Sequence, residues 1–175
     1  FVRSALGTQT SPPNQVLIGI ALFLTLFIMA PVMTQINKDC IQPYDKGKLT
    51  QEEALNAGLK PIRKFMFEQT NRKDIRLFME IEKQSNDVSI EKEDEIPTLV
   101  LIPAFMISEL RIAFIIGFLI YLPFIVIDMV VASTLMSMGM MMLPPTTISM
   151  PFKILLFVLA DGWNLVIGQL VKTFY

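Results

Sequence analysis

Few side chains in this chain could do chemistry. Histidine is absent and Cys40 is the single cysteine. His-based acid–base catalysis, Cys-based zinc sites and an intrachain disulfide framework are therefore excluded. Five charges stand inside otherwise apolar sequence: Glu109, Arg111, Asp128, Lys153 and Asp161. On insertion scales an ionisable group at the centre of a membrane helix costs about 2.5–3.5 kcal/mol, so such groups pair or face protein or water. The expected pairs are Glu109 with Lys153, and Arg111 with Asp128 or Asp161, within or between subunits. Glu109 and Arg111 are two positions apart and do not face each other on one helix. Two carboxylates can share a proton in aspartyl-protease chemistry, which makes Asp128 and Asp161 a candidate dyad. The surrounding sequence, ADGW, lacks the GxGD pattern of such enzymes, and a non-enzymatic role is expected.

The second group with distinctive chemistry is methionine. Six of the twelve methionines lie between Met129 and Met142, and Met140, Met141 and Met142 are consecutive. Methionine is flexible and polarisable, suited to a surface that deforms against varied partners. Gly139 relaxes the backbone before the triplet, and Pro144–Pro145 stop a helix after it. The stretch predicts a helix ending in a soft, sulfur-rich loop. The bland alternative is a membrane helix that happens to be rich in methionine.

The elements that position these residues are long and apolar. The 175 residues are 53% hydrophobic with mean hydropathy +0.53, too apolar for an ordinary soluble domain. The net charge of −1 gives no reason to expect nucleic acid. Residues 1–15 read as a connector, with Asn14 as a candidate cap. Residues 16–36 carry no charge and are long enough to span a bilayer, which takes about 20 residues. Pro31 predicts a kink or the last turns. Residues 37–95 hold eleven of the fifteen Lys and Arg and thirteen of the sixteen Asp and Glu, and so face water. Within them Thr50 and Glu53 form a capping box, Gly58 can close that short helix, and residues 85–95 read as a solvated acidic linker. Ile62, Phe65 and Met66, then Ile75, Phe78 and Met79, give two amphipathic stripes.

Residues 96–143 read as long hydrophobic helices broken near Pro103 and Pro123, ending in the methionine loop. Residues 144–153 read as a loop, with Pro151 in the first turn of the next helix. Residues 154–175 form a last hydrophobic helix weakened at Asp161–Gly162 and anchored by Trp163. The fold class is all-α, with membrane-type helical hairpins and a small water-facing helical domain, read as a subunit of a larger assembly with a central path. The chain begins at Phe1 rather than Met, so either it is processed or an N-terminal part precedes it, and any signal peptide or first hydrophobic helix would lie upstream.

Two blocks carry a family resemblance: LPFIVIDMVVASTLMSMGMMMLPPTTISMPFKILLFVLADGW over Leu122–Trp163, and LGTQTSPPNQVLIGIALFLTLFIMAP over Leu6–Pro31. Both resemble the FliP family of flagellar export proteins, whose injectisome homologues are called SctR. The resemblance implies a core component of the type III export gate. It implies a homo-oligomer, a pentamer, assembled with FliQ-like and FliR-like subunits and associated with an FlhB-like subunit. The cargo it implies is unfolded secreted flagellar proteins. It implies a methionine gasket at Met140, Met141 and Met142, no cofactor, and a place in the flagellar basal body of the bacterial inner membrane, projecting to the periplasmic side. Counting cations would put residues 37–95 in the cytoplasm; the resemblance implies the opposite side. An injectisome gate subunit and a stand-alone ion channel or transporter subunit are the alternatives.

Overall fold

The computed structural model describes residues 2–8, 10–83, 96–140 and 142–174. The acidic linker at 85–95, Met141 and Tyr175 lie outside them. Every described element is helical: α1 (Val2–Ala5), α2 (Asn14–Ile36), a π-helical turn (Asn37–Ile41), α3 (Gln42–Asp45), α4 (Gln51–Gln69), α5 (Arg72–Lys83), α6 (Thr98–Ser137), α7 (Pro145–Leu159) and α8 (Gly162–Lys172). Two helical stretches are long and apolar enough to cross a membrane, Asn14–Asp45 and Thr98–Ser137. The pair α7 and α8, bent by 62° at a short break, would make a third.

The chain divides into two compact units, residues 1–24 with 113–175, and residues 25–112. In the first, Ala5, Leu6, Phe124 and Phe157 form the buried core, with Val2, Ile120, Ile127 and Val166 against it. The N-terminal residues are thus packed structure as well as a connector. Asn14 spends its side-chain oxygen on the Arg3 guanidinium rather than on capping α2. In the second unit, Ile75 and Met79 of α5 meet Val100, Leu101 and Ala104 of α6, together with Ile96. Met66, Phe67 and Phe78 complete that cluster, so both predicted stripes contribute to one core.

Prolines and glycines interrupt less than their sequence suggests. Helix α6 runs through Pro103 and Pro123 without a break. A proline removes one N–H and one carbonyl partner, a local loss that 40 residues of apolar helix absorb. Likewise α4 passes through Gly58 and Pro61 as one helix. A Cβ on Gly58 would stand 3.3 Å from Cys40 Sγ, so the glycine allows close packing rather than ending the helix. The Thr50–Glu53 capping box is present. Residues 144–153 are mostly α7: Pro144 is extended and Pro145 occupies the first helical position, which its fixed φ suits. Pro151 consequently lies inside α7 rather than in its first turn.

Candidate functional site

Helix α6 ends in a defined cap. Gly139 has φ 73°, the left-handed region. Its N–H donates to the Met136 carbonyl and the Met140 N–H donates to the Leu135 carbonyl, both at 3.0 Å. This crossed pair satisfies carbonyls that a helix end leaves open. The side chains here are turned outward: Met136 is 61% exposed, Met138 60%, Met140 47% and Met142 98%. The surface is apolar, sulfur-rich and free of charge, so it offers contact without fixed hydrogen bonds.

One turn-rich segment away, α6 and α7 hold a buried ion pair. Lys153 Nζ donates to Asp128 Oδ2 at 2.7 Å. The Ser149 hydroxyl donates to the other carboxylate oxygen, Oδ1, and lies 3.1 Å from the Thr146 carbonyl. Lys153 is 2% exposed and Ser149 is fully buried, whereas the Asp128 side chain keeps 23% exposure. Gly7 closes one side: a Cβ there would stand 3.8 Å from Lys153 Nζ, and its φ of +75° disfavours any side chain. The pair is a salt bridge with both partners hydrogen-bonded, which is how buried charge is tolerated.

The α7–α8 corner is equally specified. Asp161 takes a left-handed conformation at φ 51° and accepts from Asn164 Nδ2 at 3.0 Å. The Phe157 ring would lie 2.4 Å from a Cβ on Gly162, so only glycine fits. Trp163 packs edge-on against the same ring, with centroids 5.4 Å apart.

In the second unit, Arg111 grips Asp74 through two bonds, Nη1 to Oδ2 at 2.9 Å and Nη2 to Oδ1 at 2.6 Å. The Asn71 N–H donates to Ser108 Oγ at 3.0 Å, tying the start of α5 to α6. Arg63 donates to the Ile96 carbonyl at 2.6 Å and to the Thr98 hydroxyl. Glu109 differs from all of these: its Oε1 is buried and meets no hydrogen-bond donor among the described residues. Outside the membrane-length helices, Glu53 is held below the ordinary carboxylate range, first by the Thr50 N–H and then by the Thr50 hydroxyl.

The pairings within the chain therefore differ from those expected. Lys153 takes Asp128 where Glu109 was expected, and Arg111 takes Asp74 where Asp128 or Asp161 was expected. Asp128 and Asp161 each have their own partners, Lys153 and Asn164. Asp74, Ser149 and Gly7 are the residues that sequence reasoning missed. A signal existed for Asp74, which sits beside Ile75 and one turn before Phe78 on the inward stripe of α5. A charge on an apolar stripe asks for a partner.

The family model described as the FliP family matches residues 1–170. The flagellar biosynthetic protein FliP of Bacillus subtilis is 55% identical over 174 residues, 99% of this chain and 77% of that protein. Its counterpart from Pectobacterium carotovorum is 48% identical over 175 residues, all of this chain and 67% of that protein. That from Aquifex aeolicus is 47% identical over 174 residues, 99% and 72% of the two chains. With the apolar helices, the buried ion pairs and the methionine-ended α6, these matches establish that the chain belongs to the FliP family.

Proposed function

We propose that this protein is a subunit of the flagellar type III protein export gate. It forms a homo-oligomer, a pentamer, with FliQ-like, FliR-like and FlhB-like partners in the inner membrane, with residues 37–95 on the periplasmic side. The role is conduction of unfolded flagellar subunits, without catalysis. The observation that carries this reading is the identity of about half over nearly the whole chain to proteins named for flagellar biosynthesis.

Met140, Met141 and Met142 form the gasket of that channel. A seal for unfolded chains has to yield to many sequences yet stop ions when idle. Methionines close by apolar contact, and an apolar constriction resists ions by dewetting. The exposure of Met140 and Met142 at the end of α6 supports this role. Exposed apolar side chains along α2 and α6, including Phe23, Phe27, Phe114 and Phe118, suit burial against lipid or neighbouring subunits. Glu109, whose buried Oε1 has no donor among the described residues, takes a cation from an adjacent subunit. Asp161, exposed at the α7–α8 corner, is a second candidate for such a contact.

The test is co-expression with FliQ-like and FliR-like partners, purification of the complex and its reconstitution in vesicles. Alanine at positions 140–142 is expected to leak small ions while secretion persists in cells. Unchanged ion permeability in an assembled triple variant would remove the gasket. Failure to co-purify with either partner would remove the gate assignment and favour a channel acting alone.

A further inference from the structure

The cap that ends α6 rests on one backbone conformation. Gly139 stands at φ 73°, and beyond its chain neighbours no heavy atom of the described residues lies within 4 Å of where its Cβ would be. Space is therefore not the reason for a glycine; the left-handed backbone is. Asparagine adopts that conformation by bonding its own backbone, whereas alanine and valine resist it. The conformation is what lets the Gly139 and Met140 N–H groups reach back to Met136 and Leu135.

We propose that Gly139 is the positioning residue of the methionine seal. It turns the chain off the α6 axis at a fixed point, so that Met140 leaves the helix there. With the cap lost, α6 can run on until Pro144 stops it. Successive methionines would then be fixed about 100° apart around a helix, on different sides of it. The inference rests on the gasket reading and adds the device that places it.

The experiment compares Gly139→Asn, Gly139→Ala and Gly139→Val in the full chain, assembled with its FliQ-like and FliR-like partners and reconstituted in potassium-loaded vesicles. The left-handed penalty corresponds to about a five- to thirtyfold shift in the capped population. Potassium efflux is expected to rise by about that factor for alanine, more for valine, and to stay within about twofold of the parent for asparagine. Rescue by asparagine separates backbone conformation from loss of a small residue. If the valine variant does not assemble, alanine against asparagine carries the comparison. Asparagine leaking as much as alanine, or alanine sealing like the parent, overturns the inference. Met140→Ala/Met142→Ala is measured in the same preparation. A leak from that variant beside a sealed Gly139→Ala removes only the role of Gly139. No leak from it removes the gasket, and this inference with it.

Discussion

Replacing Asp128 with asparagine leaves the Lys153 ammonium buried at 2% exposure with no counter-charge. Removing one partner of a buried pair costs about 3–5 kcal/mol, chiefly the burial of the survivor. The 23% exposure of the Asp128 side chain lets some water reach the site and favours the lower end, about 3 kcal/mol. For a chain of this size that is on the order of a 10 °C fall in Tm. Lys153→Met is milder, about 2 kcal/mol, because Asp128 keeps the Ser149 hydroxyl and its partial exposure. The double variant Asp128→Leu/Lys153→Met replaces the pair with apolar groups of similar volume and is expected within about 1 kcal/mol of the parent. Ser149 remains satisfied there by the Thr146 carbonyl. The assay is thermal unfolding of the purified, detergent-solubilised protein for the four members of the cycle. A double variant losing the sum of the two singles, or an asparagine variant with unchanged Tm, would refute the buried-pair argument.

Asp74→Asn breaks the two-pronged grip of Arg111 on a buried carboxylate and is expected to cost about 2 kcal/mol, read from the same melts. Arg111→Lys should not preserve it, because an ammonium cannot make the paired bonds. Gly162→Ala drives a methyl into the Phe157 ring and is expected to destabilise by about 1–3 kcal/mol, with partial recovery on adding Phe157→Leu. Glu53 has its carboxyl lowered in the folded state, so its contribution is complete above the ordinary carboxylate value and is lost as pH falls through the lowered folded value. Glu53→Gln should flatten that part of the acid dependence of helical circular dichroism; an unchanged acid profile would contradict the capping role.

Local chemistry was legible in the sequence, and distant pairing was not. The Thr50–Glu53 box spans three positions and needs no other element to form, so its residue types announce it. The apolar lengths of α2 and α6 follow from composition alone. The partner of Lys153 lies 25 positions away and that of Arg111 lies 37 away, so each depends on how helices meet. Proline and glycine misled in one direction. Pro103, Pro123 and Gly58 were expected to interrupt, yet the long helices run through them because flanking turns hold the backbone. Gly139 ends α6 where its residue type suggested, through a left-handed cap, whereas Gly162 is required for a reason visible only in space, an aromatic ring against the Cα.

The length of α6 has a consequence for where this protein can reside. Its 40 residues rise about 60 Å, twice the roughly 30 Å of a hydrocarbon core. To hide all of it in lipid the helix would have to tilt by about 60°, beyond the roughly 40° limit of membrane helices. Lipid can therefore match only part of the helix; α5 and Ile96 cover one face of its first turns, and Leu99, Met106 and Leu110 remain exposed on the rest. Hydrophobic mismatch of this size makes bilayer thickness a poor address label for the protein. In the proposed gate assembly neighbouring subunits supply the missing cover, so an excess of unassembled copies is expected to be a target for membrane proteolysis rather than a reserve pool.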